Sequence, residues 1–531
     1  MPFIYRNLAI SPHDGEENLP SLLAALIGLA AAELSDFRIV RKGVDARRKA
    51  RVKLIYTVSF MTVEPADLLS RIARIPNLEW QAEPAATVFT PLLSQQRIII
   101  VGSGPAGLFS ALRLARYGLT ATIIERGQPV EQRALDVQQF WRKGLLDPES
   151  NVQFGEGGAG TFSDGKLTCR SKDPLVPWVL EQLAVFGAPP EVRYLAKPHI
   201  GTDRLRLVVS TIRKHLLECG FTIRFGCRLS DIAVHNGAIS AITVNDQQEL
   251  PCDRLILATG HSARDTYELL DRRGVPLERK PFAMGLRVEH PQDLINRIQY
   301  GEARHPDLPV ADYAVTYNNA ATGRSAYSFC MCPGGVVIAG ASEEGGVVTN
   351  GMSAQQRNSP FANSALVVNV TPDDFGGADP LAGVRFQRHW EHQAFLAGGG
   401  GYRAPAQNLL AFMCLPGKVT TSSTYRPGIV ETELEPVLPP FIIQTLREGI
   451  PEFGRKLRGF VSAEATLVGI ESRTSAPLRV LRSQHYESIG LKGLYPTGEG
   501  AGYAGGIMSS AVDGVKIADT IAAQLGAEQE T

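Results

Sequence analysis

The chain has 531 residues, 44% of them hydrophobic, enough for about two or three domains with substantial cores. Its 54 Lys and Arg balance 54 Asp and Glu, so no global charge draws it to nucleic acid or an anionic membrane. Seven scattered cysteines do not make a disulfide framework, and the start lacks the basic and apolar regions of a secretory leader.

The longest mostly apolar run, Leu22 to Leu34, is too short to span a bilayer. The expectation is a soluble cytoplasmic protein with reduced thiols.

Residues 1–90 read as an α/β domain, with strand-like segments at 3–9 and 54–60 and a helical pattern over 20–34 that begins at Pro20. Between them runs a basic series: Arg38, Arg41, Lys42, Arg47, Arg48, Lys49, Arg51 and Lys53. It reads as a solvated hairpin or edge strand. The alternative is a surface for RNA or a protein partner, which the lack of interleaved aromatic residues weakens for RNA. Glu83 to Gln96, with Pro84 and Pro91, reads as a linker.

Residues 97–126, RIIIVGSGPAGLFSALRLARYGLTATIIER, carry the main signal. The apolar run Ile98 to Val101 suits a parallel strand buried on both faces. Gly102, Gly104 and Gly107 follow in G-x-G-x-x-G spacing, and Leu108, Ala111, Leu112 and Ala115 continue at helical spacing to Gly118. A second strand, Thr120 to Ile124, ends in Glu125. Gly102 allows a sharp turn, Gly104 a close approach to pyrophosphate, and Gly107 tight helix–strand packing. After Ser103, the helix that opens at Pro105 and Ala106 turns its unpaired N–H groups and positive end toward phosphate. Glu125 is placed for a ribose diol. Strand, glycines, helix and acid in register specify a dinucleotide site, but leave FAD or NAD open.

Two later segments bear on that choice. Residues 253–260, DRLILATG, end a strand in Ala258-Thr259-Gly260; residues 491–508, LKGLYPTGEGAGYAGGIM, run from a short strand through Gly498 and Glu499 to Gly505, Gly506 and Ile507 at the start of a helix. Both resemble motifs of the glutathione-reductase-type FAD superfamily. That resemblance implies bound FAD, with Glu499 on the ribityl chain, Gly505-Gly506 beside the flavin, and Leu229 against adenine through its backbone. A helix dipole aimed at the flavin stabilises the charge it gains on reduction.

More particular segments are NVQFGEGGAGTFSDGKL (151–167), KPHIGTDRL (197–205), GRSAYSFCMCPGG (323–335) and VVTNGMSAQQRNSPFANSALVV (347–368). With GEGAGYAGG (498–506) they resemble a family of bacterial FAD-dependent dehydrogenases with plastid relatives, over nearly the whole chain. Physically, the loop around Gly158 lets backbone approach the cofactor, while Lys166, Arg126 and Arg133 offer positive charge.

The fold class expected is α/β: a Rossmann-like FAD domain assembled from residues 97–275 and 485–531, with an inserted mixed-sheet substrate domain at 276–484 and the appended domain at 1–90. Only one fingerprint is present, so NAD(P)H is expected at most as a transient donor. The function expected is an FAD-dependent oxidoreductase moving a hydride to or from a small hydrophobic substrate, with a flavin monooxygenase as the alternative. Candidates for substrate contact or proton transfer are His199, His261, Arg264, Tyr327, Arg357 and Tyr503. Cys330-x-Cys332 reads as two small buried cysteines, and no metal cluster is evident.

Overall fold

The computed structural model describes residues 2–81, 89–169 and 172–530. Ile98–Val101, buried at all four positions, is the middle strand of a five-stranded sheet. The order is Leu494–Pro496, Arg254–Leu257, Ile98–Val101, Thr122–Ile124 and Thr222–Arg224, and every pairing is parallel. Covering helices explain why its strands are apolar without alternation. This is the Rossmann-like architecture expected, with a C-terminal strand added at the edge of a sheet otherwise built before residue 258.

The helix Pro105–Arg116 follows the fingerprint turn, with proline in its first turn where an amide would be unpaired. The last helix, Ile507–Glu530, crosses it closely. Ser110 Oγ donates to Gly514 O at 3.0 Å, and a Cβ on Gly514 would stand 2.2 Å from Ala106 O. The two helices therefore meet backbone to backbone.

The N-terminal module is an antiparallel sheet in the order Leu34–Asp45, Lys53–Thr62, Phe3–Ile10, Leu78–Trp80. Its helix covers Leu19–Ile27 and stops well short of residue 34, because Gly28 adopts φ 70° and closes it. The basic series begins on the edge strand. There Arg38 pairs with Asp36 at 2.8 Å, Arg47 with Asp45 at 2.6 Å, and Lys42 with Glu16. Neighbouring chain covers part of that edge: Lys42 N donates to Tyr194 O at 2.8 Å and Ala196 N to Lys42 O at 2.7 Å. Within the expected linker, residues 83–88 lie outside the described residues; the remainder has no regular structure.

Residues between the two flavin-domain segments build a seven-stranded mixed sheet. Its order is Thr316–Asn319, Arg324–Cys332, Phe361–Val370, Phe282–Pro291, Thr466–Glu471, Ala404–Asn408, Ile429–Glu431. Only the last pair is parallel. No helix among the described residues is long and apolar enough to cross a membrane.

The helix crossing generates a direct test. Gly514→Ala puts a methyl group against the Ala106 carbonyl, and it is expected to lower the unfolding free energy by about 1–3 kcal/mol in chemical denaturation. Unchanged stability would mean that the helices do not meet this closely.

Candidate active site

A cleft of about 450 Å³ opens at the carboxyl ends of the parallel strands, where Val101, Ile124, Ala258 and Thr497 contribute to its walls. Gly102 turns the chain at φ 102°, and a Cβ on Gly107 would stand 2.0 Å from Gly102 O. Gly104 and Gly158 face each other so closely that a Cβ on Gly158 would lie 3.1 Å from Gly104 Cα. At the other end, Cβ atoms on Gly260, Gly505 or Gly506 would meet nothing within 4 Å. Pro105 and Ile507, the first residues of the two crossing helices, both line the cleft. Two helix N-termini and an open backbone cradle suit a long diphosphate-bearing ligand, so the residues present fit FAD.

Glu125 is buried, and its carboxylate accepts four hydrogen bonds. Oε2 takes Ser103 N at 2.9 Å and Ser103 Oγ at 2.8 Å; Oε1 takes Gly127 N and Gly155 N, both at 3.0 Å. It therefore joins the fingerprint turn to two loops, and only the Ser103 hydroxyl can rotate away to free a lone pair for a ribose. Arg133, expected at the cofactor, does not line the cleft. Fully buried, it donates to the carbonyls of Asn151 at 2.9 Å, Val152 at 2.9 Å, Gly155 at 3.2 Å and Glu156 at 2.6 Å. Burial pulls its pKa down to about 10 despite Glu125 and Glu156 nearby. Its work is to shape the loop that forms one wall. Arg126 does line the cleft, held by Glu149 at 2.8 Å and Asp265 at 3.0 Å, with Phe154 4.1 Å beneath it.

Gly104, Pro105, Ala106, Gly158, Lys166 and Leu229 line the cleft. So do Ala258, Thr259, Gly260, Glu499, Gly505 and Gly506. Ser103, Gly107 and Gly498 stand behind the lining; Gly498 N donates to Asp513 Oδ2 at 2.8 Å. Glu499 Oε2 accepts from Gly506 N at 3.1 Å, and burial raises its pKa to about 7 against that hydrogen bond and Lys280.

Of the proton-transfer candidates, His261 alone reaches the lining. Burial, then Arg473 and Arg264, push its pKa down to about 3, so its imidazole stays neutral near pH 7 instead of titrating there. His199 hydrogen-bonds Gln355 O at 2.9 Å, and Arg357 grips Asp164 at 2.5 and 2.9 Å. Tyr503 OH accepts from Arg482 N at 3.2 Å, and Tyr327 packs beside Ala283, Ala365 and Val367. Arg264 is buried in a cluster with Glu343, Glu391 and Arg473.

Phe329, Cys330, Asn350, Glu471, Arg473 and Thr474 complete the lining from the seven-stranded sheet and its surroundings. Sequence spacing gives no sign of this group, since tertiary packing alone assembles it. Elsewhere, ligand atoms of His13, His305 and Asp307 lie within 4.8 Å of one another, beside Lys49, Arg51 and Lys53, whose charge opposes a cation.

Arg133→Met leaves four carbonyls without their donor. It is expected to destabilise the fold by about 3–5 kcal/mol and to reduce bound flavin, read by denaturation and by cofactor-to-protein absorbance. Retention of both would mean that the loop shapes itself.

The model of the FAD-dependent protein C-terminal domain-like family matches residues 281–474, that of an FAD binding domain residues 95–139, and that of a domain of unknown function residues 4–61. An uncharacterized protein of Clostridium beijerinckii is 45% identical over 522 residues, covering 97% of each chain. Thiamine thiazole synthase of Aeropyrum pernix is 26% identical over 234 residues, covering 41% of this chain and 72% of that one. Among solved structures, the flavin-dependent brominase Bmp2 aligns at 12% identity with TM-score 0.37, covering 81% of this chain and 79% of that one. Glycine oxidase from Bacillus cereus aligns at 12% identity with TM-score 0.31, covering 81% and 96%. On the full-length relative and the two FAD-domain matches, the chain belongs to this family of FAD-dependent proteins and is an FAD-dependent oxidoreductase.

Proposed function

We propose that the chain is a dehydrogenase or reductase that transfers a hydride between FAD and a small organic substrate held in the cleft. One observation carries this reading: the cleft is continuous from the fingerprint glycines to Phe329, Asn350 and Arg473, so cofactor and substrate regions share a single space. When bound, FAD supplies two-electron chemistry at its ring. The chain's own residues then bind, orient and manage protons. Phe329 offers an apolar contact, and Arg473, fixed by Glu391 at 2.8 Å and Ser342 at 2.6 Å, offers a held positive charge. Glu499, whose pKa burial raises to about 7, is a lining group able to exchange a proton near neutral pH. NAD(P)H, if it serves as donor, visits this cleft without a domain of its own.

Below its pKa of about 7 Glu499 is neutral, and above it the carboxylate adds a negative charge to the cleft. A charge there opposes electron uptake by the flavin, so the flavin's reduction potential is expected to fall with an added inflection near pH 7. Glu499→Gln should remove that inflection in a spectroelectrochemical titration; an unchanged profile would assign the proton elsewhere.

The reading as a whole is tested by an anaerobic visible spectrum of purified protein titrated with NADH and then NADPH. Bleaching of the flavin by either identifies a reductase with a transient nicotinamide site. A flavin that no nucleotide and no substrate in a broad donor screen reduces would overturn the proposal.

A further inference from the structure

The strand Arg324–Cys332 does not run evenly along its neighbour Phe361–Val370. Phe329 stands opposite Ala365, yet Cys332 stands opposite Asn363, so one residue is extra. The bulge falls at Cys330, whose φ of 45° is uncommon for any residue other than glycine. Bulges of this kind re-aim side chains beside sites, and a strained φ persists only where its surroundings hold it. Here Cys330 joins the cleft lining, while Cys332 is fully buried behind it.

The surroundings are charged. Lys166 Nζ lies 3.9 Å from Cys332 Sγ, and Arg287 Nη1 donates to Cys330 O at 3.3 Å. Lys166 is tied to Asp164 at 2.9 Å, Asp164 to Arg357, and Arg287 to Glu471 at 3.0 and 3.1 Å. Lys166 and Arg287 are thus the cations beside the two cysteines, each held in place by a carboxylate. Glu499, near Lys280, adds a negative field from the other side. Cys332 Sγ donates to Cys330 O at 3.4 Å, and the neighbouring Cys332 thiol, with Lys166 and Arg287, holds the Cys330 thiol well below its ordinary pKa against burial and Asp164. The same contact, with burial, pushes Cys332 up.

We propose that Cys330 and Cys332 are a reactive thiol pair of this cleft, Cys330 the nucleophile and Cys332 the resolving thiol, and that the electrophile they serve is a small organic disulfide. The second sulfur argues for that class, because a lone nucleophile forms an adduct whereas a neighbouring thiol releases it. The Cys330 thiolate attacks one sulfur of the disulfide, forming a mixed disulfide and expelling the first product as a thiolate. Cys332 passes its proton to that thiolate and attacks the Cys330 sulfur. The second product leaves as a thiolate that takes a solvent proton. The substrate gains two electrons and the pair becomes Cys330–Cys332 disulfide. Return to the dithiol takes two electrons, the ordinary currency of an FAD oxidoreductase; for that return alone the inference rests on the function proposed above.

The test uses the full-length, FAD-loaded protein without turnover. Brief iodoacetamide labelling across a pH series is located by peptide mass, with the exposed Cys219 and Cys414 as internal controls. Near pH 6, Cys330 is expected to react at least about tenfold faster than either control, with a rate that stays level where theirs fall about tenfold per pH unit. A Cys330 slower than both controls throughout overturns the proposal. Hydroxyethyl disulfide should then give the 330–332 disulfide and two equivalents of thiol, while Cys332→Ser should stop at a mixed disulfide on Cys330. Labelling of Cys330 without disulfide formation in the unsubstituted protein also overturns it. A flavin that no donor reduces beside a reactive Cys330 sinks the hydride reading and supports the thiol pair. A reducible flavin beside an inert Cys330 does the reverse.

Discussion

The buried carboxylate of Glu125 is the interaction on which the cleft depends. A charge taken out of water is tolerated only where hydrogen bonds replace its hydration, and here four donors do so. Three of them are amides from separate places in the chain: the fingerprint turn at Ser103, the loop at Gly127 and the glycine-rich loop at Gly155. Satisfying one group therefore sets the relative positions of three pieces of backbone. Arg133 supports the same wall from behind; its side chain passes so close to Gly155 that a Cβ there would stand 2.4 Å from Arg133 Cδ. That wall is thus tied together by hydrogen bonds within the protein.

The opposite wall hangs on a second buried group. Glu391 accepts from Arg264 at 2.8 and 2.9 Å and from Arg473 at 2.8 and 3.0 Å, and these arginines, against the effect of burial, keep its pKa far below the usual range. Arg264 opens a helix that follows the A-T-G strand end, whereas Glu391 and Arg473 belong to the segment inserted in the flavin domain. Removing one partner from such a cluster leaves an unpaired charge and costs about 3–5 kcal/mol. The cluster therefore fixes where Arg473 stands relative to the cofactor cradle, and with it the width of the cleft.

The parts of this arrangement that were legible in the sequence are local. Ile98 to Glu125 declared strand, turn, helix and acid because each has a periodicity or a required glycine. The A-T-G strand end and the Gly505-Gly506 helix start likewise pointed to the cleft. The apolar composition that predicts a helix to residue 34 continues past Gly28, where the backbone has already turned left-handed. Charge near a dinucleotide motif suggests phosphate for Arg133, but its buried side chain turns to loop carbonyls that spacing does not reveal, whereas Glu125 lines the cleft as its position predicts. Cys330 was hidden for the same reason, as its exposure follows from one extra residue in a strand pairing.

Burial and the placement of fixed charges then separate the chemistry of groups that share one small space. His261, between two arginines in a desolvated wall, is held neutral; Glu499, desolvated with a single amide donor, titrates near neutrality. Identical residue types on the surface would do neither. The cations that hold His261 neutral, Arg264 and Arg473, are themselves held by Glu391, while Arg287 and Lys166 near the cysteines are held by Glu471 and Asp164. Of these pairs, Arg264–Glu391 bridges the flavin-binding part of the chain and the inserted segment, so the charges that hold His261 neutral also help to seat the two parts. Chemistry and architecture here are consequences of the same buried ion pairs.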